Sequence, residues 1–302
     1  MIEVKHASYR KRKKTRMEDI SFTINEPSIT GLVGANGAGK TTLLNVIAGH
    51  LKPTAGESLW EGESIFQSLA ASSATYFSHE DLFFPYDHRI RDIFTDLASF
   101  YPNFNQDLAY SYCDYFSLSV DAKYYRLSTG QASVARAVFA FAVRTPLLLL
   151  DEPTTGMDEK TRVMFHKCLL KEFVEHPRFV LMSTHYIEET ENLLDSILLI
   201  NKGKRVFHHS LEEINKLGLK VSGKTDDVLS FVEPYNTIAT ETSADFLYTT
   251  SYIEHSLSEN ALWKIEAKGL KIQPMSVKEV CNLYSMKKKG RVEDVFETSN
   301  NE

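Results

Sequence analysis

Three observations predict an α/β fold for this chain. Apolar runs that end in polar residues, "PLLLLDEP" (146–153) and "RFVLMSTH" (178–185), are separated by a helical stretch, "EKTRVMFHKCLLKEFVEH". Another short run, "SITGLVG", passes straight into a glycine-rich loop and then into "KTTLLNVIAGHL", which has helical spacing. At the N-terminus, "IEVKHASYR" and "MEDISFTIN" alternate apolar and polar residues on either side of a basic turn, a hairpin pattern. Strands alternating with helices imply a mostly parallel sheet covered on both faces, with its ligand at the carboxyl ends of the strands.

The remaining elements follow in chain order. The N-terminal hairpin makes an antiparallel β-subdomain. From about 87 to 143 the sequence turns helical and aromatic ("IRDIFTDLASFYPNFNQDLAYSYCDYF"), which reads as a helical insertion. "SILLINKGKRVFHH" is a strand pair turning around Asn201–Gly203, and "LEEINKL" is a short helix. There the alternation stops, so residues 1–217 form one domain and 218–286 a small α+β domain. Residues 287–302 read as a loose tail.

Composition narrows the function classes. The chain has 302 residues, 43% hydrophobic and 25% charged, as in a globular protein. Arg144 and Pro146 break the longest apolar run, and no segment approaches the roughly 18–20 apolar residues of a membrane span. The first residues, "MIEVKHASYRKRKK", have no apolar core after them and do not read as a secretory signal. A cytoplasmic location is expected. The net charge of −6 argues against a chain that coats nucleic acid, and the basic runs "RKRKKTR" and "KKKGR" read as solvated turns or tails. Cys113, Cys168 and Cys281 are far apart, without metal-ligand spacing, and read as reduced, buried thiols.

"GANGAGKT" (34–41) fits G-x-x-x-x-G-K-[ST] and lies between a strand and a helix, as that motif requires. Its backbone N–H groups, over Asn36, Gly37, Ala38 and Gly39, turn around phosphate oxygens, and the following helix adds its positive end. Lys40 is expected at the β- and γ-phosphates, Thr41 at Mg²⁺ and Thr42 at the α-phosphate. The chain therefore binds a nucleoside triphosphate. After four leucines, Asp151 and Glu152 reach the carboxyl end of a strand, where one acid can hold the metal's water shell and the other can polarise the attacking water.

In order along the chain, "GANGAGKT", "LSTGQ" (127–131), "LLLLDEP", "TTGMD" (154–158) and "STH" (183–185) resemble the nucleotide-binding domain of ABC transporters, over residues 1 to about 217. The resemblance implies a P-loop NTPase that hydrolyses ATP with Mg²⁺. It puts Tyr9 where an aromatic stacks on adenine. Ser128, Gly130 and Gln131 fall in a signature loop that touches the γ-phosphate of a nucleotide held by the opposite subunit. Asp158 falls in the loop joining the subunits, and His185 at the histidine that contacts the γ-phosphate. Glu152 becomes the general base and Asp151 a metal ligand. A homodimer, or a heterodimer with another ABC ATPase, is implied, on the cytoplasmic face of the membrane and bound to separately encoded membrane-spanning subunits.

Two departures from the family pattern stand out. Thr129 replaces the usual glycine of the signature loop, for which a modest effect is expected. Within "ATYFSHEDLFFPY" (74–86), alignment on Tyr76 puts His79 at a position where the family has a glutamine that reads the metal and the attacking water; Glu80 is the other candidate. His79, Glu80 and Asp81 do not make a metal site alone, because adjacent residues of an extended chain point to opposite faces. Leu82, Phe83 and Phe84 read either as a membrane-subunit contact or as part of the core of the insertion. "GLKIQPMSVKEVCNLYSM" is similar to the ending of ATPases of bacterial drug, antibiotic-peptide and polysaccharide exporters, which favours export. The overall likeness is to small ATPases of antibiotic or amphipathic-peptide exporters. The other reading is a soluble ABC ATPase acting on ribosomes or DNA. Such proteins usually carry two P-loops, long coiled-coil insertions or a strongly basic arm, none of which stands in this sequence.

Overall fold

The computed structural model describes residues 1–12, 14–254 and 269–286. The alternating N-terminal segments pair as an antiparallel hairpin of β1 (Ile2–Lys11) and β2 (Lys14–Ile24). Its register sets Ile2 against Ile24 and Val4 against Phe22, so the period-2 pattern puts all four side chains on the buried face. β3 (Ser28–Val33) leads into α1 (Lys40–Ile47). β4 (Ala55–Trp60) and β5 (Glu63–Ser64) then complete a four-stranded sheet in the order β2-β1-β4-β5.

After α2 (Leu69–Ala74) and β6 (Thr75–Ser78) come the helices of the insertion: α3 (Ile90–Phe100), α4 (Gln106–Tyr115) and α5 (Thr129–Ala142). The chain continues through β7 (Leu147–Asp151), α6 (Glu159–Glu175), β8 (Phe179–Thr184), the single turn α7 (Ile187–Thr190), β9 (Ser196–Asn201) and β10 (Lys204–Ser210). The second sheet has six strands in the order β10-β9-β3-β8-β7-β6. Its β6–β7, β7–β8, β3–β8 and β3–β9 pairs are parallel. β7 and β8 are apolar almost throughout because both faces are covered.

Register positions the site. Ser78 pairs with Leu150, Asp151 with Ser183, and Val33 with Thr184. The strands therefore end level, and His79, Asp151–Glu152, Thr184–His185 and Gly34 leave them along one edge. Topology rather than sequence proximity assembles these groups.

Aromatic packing explains the composition of the insertion. Residues Ser133 to Ala142 of α5 are all buried, and Phe139 packs against Phe94 and Phe84 at centroid distances of 6.0 and 5.5 Å. Phe141 packs at a tilt against Tyr112 and Phe165. Among the buried charges here, Glu172 accepts a 3.0 Å hydrogen bond from the Tyr112 hydroxyl and lies 3.6 Å from the Arg144 guanidinium. Burial and the neighbouring carboxylate push the Tyr112 hydroxyl well up, so it stays protonated and donates.

The aromatic run after β6 divides between the two alternatives. Phe84 joins the core of the insertion, 4.8 Å from Tyr124, whereas Phe83 is 89% exposed. Exposed Tyr86 stacks on Tyr125 at 3.6 Å. The three cysteines are free and buried, and burial pushes the Cys113 and Cys281 thiols up to about 12.

The chain divides into two compact units, Met1–His208 and His209–Glu302. The second contains α8 (Leu211–Ile214), β11 (Gly218–Lys224), α9 (Thr225–Val232), β12 (Thr237–Thr242), β13 (Tyr248–Glu254), β14 (Lys271–Pro274) and α10 (Val277–Met286). Its strands form a sheet in the order β12-β13-β11-β14. Val221, Val228, Phe231, Val232 and Ile253 are among its core residues. The tail expected at 287–302 lies outside the described residues. Among the described residues, no helix is long and apolar enough to cross a membrane.

Candidate functional site

The loop between β3 and α1 is built to hold an anion. Gly39 caps α1 at φ 111°, a left-handed conformation, and a Cβ there would meet the Arg16 carbonyl at 2.8 Å. A Cβ on Gly34 would stand 2.3 Å from the Ile200 carbonyl. Gly203 N–H, in the turn between β9 and β10, donates to the Ala38 carbonyl at 2.8 Å and pins the loop. Asn36, Gly37, Gly39, Lys40, Thr41, Thr42, Arg16 and Glu152 line a cavity of about 280 Å³. The N-terminus of α1 contributes its free N–H groups to it.

Lys40 is nearly enclosed. Its Nζ donates to the Gly34 carbonyl at 2.8 Å and stands 3.6 Å from Glu152 Oε1. On the other side of the same carboxylate, His185 Nδ1 lies 3.4 Å from Glu152 Oε2. Glu152 thus sits between the P-loop lysine and the strand-end histidine, facing the cavity.

Its backbone is unusual: φ is 46°, a left-handed value that costs a non-glycine residue of order 1–3 kcal/mol. What holds it is Ser183. Glu152 N–H donates to Ser183 Oγ at 2.8 Å, and Ser183 Oγ donates to Asp151 Oδ1 at 2.6 Å. One fully buried hydroxyl therefore fixes both acids. Ser183→Ala is expected to lower stability by about 1–3 kcal/mol, because two part-buried hydrogen bonds lose their partner. The same change should slow turnover at least about tenfold through misplacement of the acids. Thermal unfolding and steady-state hydrolysis check the two effects.

A second cavity of about 280 Å³ is lined by Ser128, Gly130, Gln131, Gly156, Met157 and Asp158, among others. Ser128 and Gln131 close a capping box at the start of α5, with Gln131 N–H donating to Ser128 Oγ and Ser128 N–H donating to Gln131 Oε1. Asp158 caps α6 by accepting from Thr161 N–H at 2.7 Å, which holds its carboxyl below the usual range. A Cβ on Gly130 would meet the Gly156 carbonyl at 2.4 Å, so the two loops touch through backbone. The Thr129 methyl lies against Gly156 rather than in the capping contacts. The two cavities share no lining residue.

The other expected residues are placed as follows. Ala38 is a buried residue of the P-loop itself. Tyr9 is partly buried and packs against the core cluster under the β-subdomain, while Arg16, on the partner strand of the hairpin, lines the first cavity. His79 follows β6 with its ring 4.7 Å from Phe77, and burial lowers its basicity; Glu80 is exposed. Among the described residues, no group of three or more His, Cys, Asp or Glu could hold a metal by itself. Sequence reasoning missed Arg16 and Ser183. Arg16 was one of several cations in the basic turn, and Ser183 was legible only as a polar residue at the end of an apolar strand.

The family profile described as ABC transporter matches residues 17–155. The ABC transporter ATP-binding protein YtrB of Bacillus subtilis (strain 168) is 28% identical over 222 residues, covering 73% of this chain and 76% of YtrB. YybJ of the same organism, an uncharacterized ABC transporter ATP-binding protein, is 30% identical over 222 residues, covering 68% of this chain and 94% of YybJ. The cobalt import ATP-binding protein CbiO of Salmonella typhimurium is 26% identical over 227 residues, covering 68% of this chain and 79% of CbiO. Among solved structures, an ATP-binding subunit of an ABC transporter superposes with a TM-score of 0.64 at 21% identity, covering 71% of this chain and 92% of that one. A dimeric post-hydrolysis ATP-binding cassette bound to ADP and Pi gives 0.61 at 21% identity, covering 70% and 99%.

Proposed function

This chain belongs to the ABC transporter ATP-binding family, and from that membership we propose that it is the ATP-hydrolysing motor of an exporter whose membrane-spanning subunits are separate chains. The observation that carries the reading is the division of the site between two cavities with no residue in common. One holds the P-loop and Glu152, the other Ser128, Gly130 and Gln131. A nucleotide on the P-loop of one copy meets the signature loop of a second copy, or of a related ATPase, so ATP is sandwiched at a dimer interface.

Within the first cavity, Lys40, Thr42 and the loop N–H groups of Asn36, Gly37, Ala38 and Gly39 hold the phosphates. Thr41 and Asp151 offer the hard oxygen donors that Mg²⁺ takes, with Asp151 Oδ1 engaged by Ser183 and its other oxygen left for the ion or its waters. When bound, the ion neutralises charge on the β- and γ-phosphates. Glu152 is the general base that takes a proton from the attacking water, and His185 contacts the γ-phosphate. His79 stands one strand over from Asp151, because Ser78 pairs with Leu150. Burial lowers its basicity, which favours the neutral ring, and a neutral imidazole can accept a hydrogen bond from a metal-bound or attacking water. Tyr9 and Arg16 flank the base side of the nucleotide.

Exposed Phe83 and Tyr86 fit a grip on a membrane subunit, which keeps the chain at the cytoplasmic face of the membrane. The reading of export rests on the C-terminal ending, where β14 and α10 are joined by a Ser276–Glu279 capping box. Because CbiO is named for cobalt import, direction is the point to test. An antibiotic or amphipathic peptide is the proposed class of cargo.

Purification of the full chain from solubilised membranes is expected to recover a polytopic membrane protein. Phe83→Ala should weaken that recovery about tenfold or more, as for an exposed aromatic anchor. ATP-driven flux in inverted vesicles should run into the lumen. Recovery with ribosomes or nucleic acid instead would sink the transport reading.

A further inference from the structure

Arg162 stands in the first turn of α6, four residues beyond the capping Asp158. Its guanidinium makes paired hydrogen bonds to one carboxylate: Nε to Glu189 Oε2 at 2.7 Å and Nη2 to Glu189 Oε1 at 2.9 Å. Its third nitrogen, Nη1, donates to the Met157 carbonyl at 3.1 Å. The cation lies 5.0 Å from the centre of the Tyr186 ring, and that ring lies 3.9 Å from the ring of His185. Two separate pieces of chain thus converge on one side chain: the Gly156–Asp158 loop, and the stretch that runs from Tyr186, directly after His185, into α7. Only arginine offers both a planar fork for a carboxylate and a face for an aromatic ring.

Stability alone does not explain this arrangement. The side chains of Glu189 and His185 are 36% and 46% exposed, and exposed ion pairs add little to folding. What the contacts do fix is orientation. A half-exposed imidazole at a strand end has several rotamers open to it, and Tyr186, held by Arg162, restricts them.

We propose that Arg162 is a positioning residue that links the Gly156–Asp158 loop to His185 through Glu189 and Tyr186, so that a second copy closing on that loop sets the histidine against the γ-phosphate. This rests on the assignment of His185 given above.

Steady-state ATP hydrolysis by the full chain, with kcat and KM measured separately, tests the link. Arg162→Ala is expected to lower kcat about tenfold with KM changed by less than about twofold, the pattern of an interaction made in the transition state. Arg162→Lys keeps the charge but not the fork, and should restore only part of the rate. Tyr186→Leu should cost as much as Arg162→Ala, and the double variant no more than either, as for two links in one chain. Additive losses would overturn the proposal. His185→Ala is the reference and should lose turnover. Wild-type kcat in Arg162→Ala beside an inactive His185→Ala would overturn the link and leave the histidine's role standing. Wild-type turnover in His185→Ala would overturn that role and the link with it. If Arg162→Ala does not fold, Glu189→Gln takes its place, with a loss of kcat expected and an unchanged kcat overturning the proposal.

Discussion

Glu152→Gln is expected to bind ATP normally and hydrolyse it roughly 10²–10⁴-fold more slowly, the range for loss of a general base. The substitution is nearly isosteric, so the left-handed backbone, its N–H bond to Ser183 and the packing around Lys40 remain. What disappears is the basic carboxylate, whose Oε1 faces Lys40 Nζ and whose Oε2 faces His185 Nδ1. Because binding survives while turnover stops, the variant should accumulate as an ATP-bound dimer. Size-exclusion chromatography with and without ATP, beside single-turnover hydrolysis, measures both effects. An unchanged rate would remove Glu152 from the base role, and Asp151 would be the next acid to examine.

Lys40→Ala should fail at the earlier step. The Lys40 side chain is only 6% exposed and its ammonium is shared between the Gly34 carbonyl and Glu152, so it is already desolvated and aimed before a phosphate arrives. With ATP bound, the pair in question is this enclosed ammonium and a phosphate, and removing one partner of a buried, hydrogen-bonded charge pair costs about 2–5 kcal/mol. At 1.4 kcal/mol for each factor of ten, ATP affinity should fall roughly 30-fold to several thousand-fold. Equilibrium binding of a fluorescent ATP analogue checks this. Affinity within about threefold of wild type would mean that the loop N–H groups carry the phosphate without the lysine. The two variants separate binding from chemistry in one cavity: Lys40→Ala loses affinity, and Glu152→Gln keeps it.

Much of the site was legible in the sequence because local chemistry writes it there. "GANGAGKT" states a loop that needs glycine at left-handed positions such as Gly39, followed by a helix, and no other residue type fits so close to the Arg16 carbonyl. Four leucines before Asp151 and Glu152 state a strand covered on both faces with acids at its mouth. Ser183 was harder to see. A serine ending an apolar strand looks like any strand end, and its purpose appears only when β8 lies beside β7 and sets it against Asp151. Arg16 was hidden among neighbouring cations, since which one faces the cavity depends on the hairpin register and on the approach of the P-loop. The run "LFFPY" divided for a similar reason: Phe84 turns inward because Tyr124 and Phe139 wait for it from helices far along the chain, and Phe83 is left outside.

By itself, then, the sequence determined the fold class, the phosphate loop and the two strand-end acids, because each is set by the period, capping and steric demands of residues adjacent in the chain. The tertiary structure alone decided how the acids are held and that Arg162 meets Tyr186 and Glu189. Those are matters of register between parallel strands and of where helices return over the sheet. They depend on contacts between residues tens of positions apart, which no local pattern records.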